Sequence, residues 1–350
     1  MRAACFEEVQ IVRVRQIDDP TILRPGDAIV DVELAGLCGS DLHPFFGREV
    51  GMDPGTVMGH EFVGTVVEVG DDVREVQVGD RVCSAFTTNC GTCFYCDRGL
   101  TSRCPHGQLF GWRANQSGLH GGQSERVRVP LADGTLMRIG KDFDANTALL
   151  MGDNLSTALF GVDMATDPRR IDEDVLLVVG CGTVGLLAIQ CAIAKGAQRV
   201  FAVDPNLPRL EMAVQLGAIG FEHSDPLLAA IRQATDGRGA DGVMEFVGLP
   251  AAQRVAYAAV RPGGRMSVIG CHCTEHFAFS PVDAYDKNLS YRTGRCPARH
   301  YMQQIIADPL IAGMDLSWCV THTFSMDDAE EAYDVFAHQK QGCIKAAMRP

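Results

Sequence analysis

Apolar and polar residues alternate along the first 150 positions and then change rhythm. The runs DAIVDVELAGLC (27–38), EFVGTVVEVG (61–70) and DRVCSAF (80–86) place apolar side chains at every second position. That is the pattern of half-buried strands. Val78–Asp80 is a turn signal, and residues 1–19 read as a strand. From about Ala148 the texture becomes helical, in TALLMGDNLSTALFGVDMA (147–165). Strands are then predicted at 175–180, 199–204, 242–248 and 265–270, alternating with helices at 183–197, 206–218 and 251–260. Such alternation predicts a parallel sheet with helical crossovers. Past about Arg295 the pattern weakens, and this tail is expected to rejoin the N-terminal domain. The predicted class is α/β. A barrel-like β domain covers 1–150 and 295–350, with a cysteine lobe at about 88–106, and a nucleotide-binding domain covers 151–294.

The bulk numbers agree with two domains. The chain has 350 residues, 46% of them hydrophobic, enough for well-filled cores. A formal net charge of −13 and the lack of a basic block argue against nucleic acid. No apolar run is long enough for a membrane span, and the N-terminus lacks a signal peptide's apolar core. The 14 cysteines include Cys181, Cys191 and Cys343 inside apolar runs, which read as buried reduced thiols of a cytoplasmic protein.

Four cysteines stand apart from those. Cys90, Cys93, Cys96 and Cys104 form C-x2-C-x2-C-x7-C, a spacing that wraps one tetrahedral ion and favours a structural zinc. Disulfides and an iron–sulfur cluster are the competing readings. A second set is dispersed. Cys38 and His60 offer one soft and one borderline ligand, and Asp153 is the candidate third ligand of a zinc with an open position. Glu61 competes for that place. Taken singly, each residue has an ordinary structural reading, as a core thiol, a strand histidine or a helix cap.

Gly180, Gly182 and Gly185 make a G-x-G-x-x-G directly between a strand and a helix, with Thr183 and Val184 between the glycines. This context predicts a dinucleotide loop, with pyrophosphate at the helix N-terminus. Asp204 ends the next strand, where a carboxylate favours the ribose of NAD and repels the phosphate of NADP. Arg209 nearby softens that preference.

The chain resembles the zinc-dependent alcohol dehydrogenases of the medium-chain dehydrogenase/reductase family. The likeness rests on GHE (59–61), CGSDLH (38–43), the four-cysteine lobe, GCGTVG (180–185) and Asp204, in family order over nearly the whole chain. It implies a GroES-like catalytic domain and a Rossmann domain, with two zinc ions and NAD. Cys38, His60 and Asp153 would hold the catalytic zinc in the cleft between domains, with Asp41 orienting His60. Ser40 and His43 would relay a proton beside Glu61. Thr157, Val247, Ile269, Arg209 and Lys345 would touch the cofactor, Lys345 at the pyrophosphate. Phe86 would wall the pocket, and the loop 107–122 would add Phe110, Trp112 and His120. The two aromatic residues favour an apolar substrate over a polyol.

One departure concerns Gly39, which stands where some relatives carry an arginine on the pyrophosphate. Losing such a contact costs roughly 1.5–3 kcal/mol of NAD binding. The implied reaction is hydride transfer between an alcohol and NAD, in a homodimer or homotetramer. Polyol or threonine dehydrogenation and formaldehyde oxidation or dismutation are alternatives within the family. A non-catalytic zinc and NADH-binding protein is the alternative outside it.

Overall fold

The structure is a computed structural model that describes residues 1–274 and 276–350. It divides into two compact units. One comprises Met1–Asp153, Pro297–Gln304 and Asp315–Pro350, the other Asn154–Cys296 and Ile305–Met314.

The first unit is built on a barrel-like sheet. Its strands run in the spatial order Leu136–Arg138, Arg81–Ser84, Phe62–Val69, Ala28–Leu37, Lys345–Arg349 and Val320–Ser325, with Arg126–Val129 also pairing Ala28–Leu37. All neighbours are antiparallel except the last two strands. The alternation in 27–38 and 61–70 has a direct counterpart here. Val30, Val32, Phe62 and Val66 are inward residues of one core, closed by Phe110 and Leu136. A second core gathers Phe6, Phe45, Met58, Tyr333 and Phe336 under the helix Ala329–Ala337.

The second unit is a six-stranded sheet, every neighbouring pair parallel. Its order runs Ile219–Phe221, Arg199–Val203, Val175–Val179, Ala240–Glu245, Val260–Val268, Ser290–Thr293. This is the strand order 3-2-1-4-5-6 of the Rossmann fold, with Val175–Val179 as strand 1. That strand is buried at every position, as a central parallel strand with both faces covered must be.

Several elements differ from the sequence-based expectation. Residues 1–19 form a hairpin, Arg2–Glu8 with Ile11–Gln16, turning at Gln10 with φ 65°. No glycine, proline or asparagine marks that turn. The helical segment 147–165 breaks at Gly152–Asp153 into Ala145–Met151 and Asn154–Ala165. A Cβ at Gly152 would strike the Ser84 carbonyl. The sheet edge after 265–270 is Ser290–Thr293; the described residues of 271–280 form no strand. The strand Ile219–Phe221 and the helix Ser224–Ala234 were not anticipated.

The loop 107–122 is built on a short hairpin. Its centre is the hairpin Trp112–Ala114/Ser117–Leu119, whose turn N–H groups at Asn115 and Gln116 donate to Asp53. His120 Nδ1 accepts the Val57 N–H at 3.0 Å, and Nε2 lies 2.9 Å from Arg113 Nη1. His120 therefore ties this hairpin to the sheet. Burial, with Arg113 and Arg128 nearby, lowers its pKa to about 4. Between that value and the ordinary value of about 6.5 the unfolded chain binds a proton that the folded chain refuses. Stability should therefore fall as pH drops from about 6.5 towards 4. In urea melts at pH 7 and pH 4.5, His120→Gln should show a smaller loss across that interval than the parent protein.

Candidate metal and dinucleotide sites

Four side chains far apart in sequence meet in the first unit. One ligand atom from each of Cys38, His60, Glu61 and Asp153 lies within 4.8 Å of the others. Cys38 follows the strand Ala28–Leu37, His60 precedes Phe62–Val69, and Asp153 sits at the helix break. Asp153 Oδ2 is 3.3 Å from Cys38 Sγ and 3.4 Å from His60 Nε2. Around one tetrahedral zinc, with bonds of 2.0–2.3 Å, ligand edges of about 3.4–3.6 Å are required. The donor set and its spacing therefore fit a zinc ion.

The electrostatics point the same way. The His60 ring lies between carboxylates, Asp41 Oδ1 at 3.1 Å from Nδ1 and Asp153 on the other side. Burial disfavours its charged form, yet Asp41, Asp153 and Cys38 outweigh burial and hold its pKa well above the ordinary value. Without a metal, a proton on His60 meets the demand for positive charge. Burial and the charge of Asp153 push the Cys38 thiol up. Burial also disfavours ionised Asp153, but His60 holds it below the usual carboxylate range.

The remaining predicted residues are placed as follows. Ser40 Oγ is 3.2 Å from His60 Nε2. His43 lies in the short helix Leu42–Phe45, its pKa lowered by burial and Arg48. Phe86 and His60 meet in a T-shaped ring contact, with centroids 6.2 Å apart. Phe110 and Trp112 are corrected. Phe110 is 1% exposed in the barrel core, edge-on to Phe62, and Trp112 packs on the core of Phe45 and Tyr333.

Lys345 is also corrected. It is fully buried and donates to both oxygens of Glu61, at 2.7 and 2.5 Å, so its ammonium is committed to a carboxylate and not to a pyrophosphate. Burial pushes Glu61 up to about 7 even though Lys345 works against that rise.

The cysteine lobe is compact. Cys93 Sγ is 3.5 Å from Cys96 Sγ and 3.9 Å from Cys104 Sγ, and Cys104 Sγ is 3.6 Å from Cys90 Sγ. A tetrahedron of Zn–S bonds near 2.3 Å has edges of about 3.8 Å. Cys90, Cys93, Cys96 and Cys104 form no disulfide, so the disulfide reading fails in this structure. Gaps this short leave room for a single ion.

In the second unit the glycine turn precedes the helix Thr183–Ala194. Gly180 has φ 92°, and a Cβ on Gly185 would collide with the Gly180 carbonyl, so the close turn requires both glycines. A Cβ on Gly182 would meet only Arg209 Nη1, at 3.9 Å; the turn is otherwise open there. Arg209 Nε is buried without a partner among the described residues. An open glycine face beside a guanidinium with one unsatisfied buried N–H fits a phosphate-bearing ligand.

Asp204 accepts N–H bonds from Cys181 at 2.7 Å and Asn206 at 2.8 Å. Thr183 and Val184 begin the helix, Thr157 lies in Asn154–Ala165, and Ile269 donates to the Glu245 carbonyl. Val247 is anchored by a residue that sequence reasoning passed over. Fully buried Glu245 accepts from Val247 N at 2.7 Å and Gly248 N at 2.8 Å, and its other oxygen is 3.0 Å from His272 Nε2. Its only sequence signal is a charge at the end of an apolar strand.

Comparison with known proteins bears on both sites. The family described as alcohol dehydrogenase GroES-like domain matches residues 24–140, and zinc-binding dehydrogenase matches 183–308. The chain is 39% identical to zinc-type alcohol dehydrogenase B of Aspergillus flavus, over 97% of this chain and 79% of that protein. The chain belongs to the zinc-type alcohol dehydrogenase family.

The structure of alcohol dehydrogenase TADH from Thermus sp. ATN1 covers the whole chain and 99% of its own, at 35% identity and TM-score 0.91. A zinc-binding dehydrogenase from Sinorhizobium meliloti 1021, solved with NADP, has 25% identity and TM-score 0.81 over 100% and 99% of the two chains. The family fold is a GroES-like domain joined to a Rossmann-type domain, and its members are oxidoreductases. No helix among the described residues is long and apolar enough to cross a membrane.

Replacing Cys93 with Ser should release one zinc per chain and lower Tm by roughly 10 °C, because a structural zinc contributes folding free energy. Metal analysis and calorimetry of the same sample check this.

Proposed function

We propose that the protein is an NAD-dependent alcohol dehydrogenase with two zinc ions, interconverting a small alcohol and its aldehyde or ketone. The observation that carries the reading is the convergence of Cys38 Sγ, His60 Nε2 and Asp153 Oδ2 beside Ser40 Oγ. Cys38, His60 and Asp153 would hold the catalytic zinc, and Cys90, Cys93, Cys96 and Cys104 the structural one. Bound zinc supplies Lewis acidity that lowers the pKa of a substrate hydroxyl.

Protein groups perform the remaining tasks. Asp41 fixes the His60 ring through Nδ1. Ser40 accepts the substrate proton and passes it to His43, which its lowered pKa keeps neutral and ready to receive it. Phe86 gives the substrate an apolar wall. Glu61, neutralised by Lys345, does not add a second negative charge that would oppose ionisation of the substrate hydroxyl. Gly180, Gly182, Gly185 and Asp204 would hold NAD, which would supply the hydride acceptor.

Asp204 supports NAD over NADP. Each of its oxygens accepts one backbone N–H and retains a lone pair for a ribose hydroxyl, while its charge repels a 2′-phosphate. Arg209 answers the pyrophosphate or the adenosine side. The thiol-rich composition accords with a cytoplasmic setting, and the expected assembly is a homodimer or homotetramer.

Cys38→Ala should abolish alcohol-dependent reduction of NAD at 340 nm and leave NADH binding, read by fluorescence, intact. Normal turnover in a variant lacking that zinc would contradict the assignment. Asp204→Ala should shift the ratio of kcat/KM for NAD over NADP towards NADP by roughly 10-fold or more, as loss of a repulsion worth at least about 1.4 kcal/mol requires.

A further inference from the structure

The first unit buries a polar relay that ends at the ligand cluster. Tyr333, on the helix Ala329–Ala337, is 1% exposed, and its hydroxyl donates to Gln123 Oε1 at 2.8 Å. Gln123 is fully buried, and its Nε2 donates to the Gly36 carbonyl at 2.9 Å and reaches Asp41 Oδ2 at 3.5 Å. Asp41 uses the same Oδ2 to accept the Cys38 N–H at 2.9 Å, and sets Oδ1 against His60 Nδ1 at 3.1 Å. Gly59 has φ 84°, and a Cβ there would lie 2.7 Å from Gln123 Cδ and 2.8 Å from Nε2. The Gln123 amide therefore lies across the backbone immediately before His60, with its nitrogen on the backbone just before Cys38.

The two ends of an amide are not equivalent. Burial, and then the Asp41 charge, push the Tyr333 phenol well above the ordinary value, so the hydroxyl keeps a proton to donate to Gln123. The Gly36 carbonyl and the Asp41 carboxylate only accept, so they fix Nε2 on their side and leave Oε1 to accept from Tyr333. A flipped amide would set its oxygen against the Gly36 carbonyl and the Asp41 carboxylate, losing both of those contacts. A tyrosine that merely needed a buried acceptor would be content with any carbonyl. Here the acceptor's other end lands between the two segments that carry Cys38 and His60.

We propose that Gln123 and Tyr333 are positioning residues for the metal site, holding Asp41 and the two ligand-bearing segments in register. The inference rests on the reading of Cys38, His60 and Asp153 as zinc ligands. Its test uses the intact two-zinc protein, with the cysteine-lobe zinc as internal reference. Gln123→Glu keeps the shape but replaces the two-donor NH2 group with a carboxyl oxygen set against Asp41. Tyr333→Phe removes only the hydroxyl.

Chelator competition should show zinc at the His60 site weakened about 10- to 100-fold in Gln123→Glu and near the lower end of that range in Tyr333→Phe. The lobe zinc should be unchanged. After cobalt replacement, both variants should shift the visible ligand-field spectrum of that site. Parental affinity and spectrum in both variants, whatever happens to Tm, would overturn the proposal and leave the relay as core packing. If Gln123→Glu does not fold, Tyr333→Phe decides alone. His60→Ala tests the parent reading separately: if it kept both zinc ions at parental affinity, the metal assignment itself would fall, and the relay with it.

Discussion

The demand of a buried carboxylate pair for positive charge organises the first unit. Asp41 and Asp153 flank His60 from opposite ring nitrogens, out of water, where unmatched charge is expensive. A proton can meet the demand, but a divalent ion meets it better, since it also discharges the Cys38 thiol. Around this point the unit is built of rigid pieces. Cys38 caps one barrel strand, His60 leads into its antiparallel neighbour, and Asp153 is delivered by a helix break. A site carried on strand ends is held more firmly than one carried on loops.

The second charged pair, Glu61 with Lys345, shows how the fold tolerates more charge in the same place. Both groups are fully buried, and Lys345 comes from the final strand. The C-terminal segment thus closes the barrel beside Ala28–Leu37 and brings the cation that neutralises Glu61. A buried pair of this kind contributes little net stability. Its value here is to keep Glu61 near the ligand cluster without a second unbalanced charge.

Much of this was legible in the sequence because it is local. The four cysteines lie within 15 residues, and the glycine turn lies between an apolar strand and a helix, so spacing alone carries the chemistry. Asp41 and Ser40 were reachable because they ride with Cys38. What escaped was non-local or unmarked. Lys345 meets Glu61 across 284 positions, and only the closing of the barrel reveals that it is spent on a carboxylate. Phe110 and Trp112 looked like pocket aromatics because their loop has no strong strand pattern, but the short hairpin at 112–119 turns them into the cores. The turn at Gln10 and the carboxylate of Glu245 carry no sequence signal strong enough to separate them from ordinary strand residues.

The most direct measurement is anomalous diffraction at the zinc absorption edge from crystals of the purified protein. The account predicts two peaks per chain, one among the sulfurs of Cys90, Cys93, Cys96 and Cys104 and one bonded to Cys38, His60 and Asp153. Crystals with a peak in the cysteine lobe and none at Cys38, His60 and Asp153, in protein that still oxidises alcohols with NAD, would contradict it.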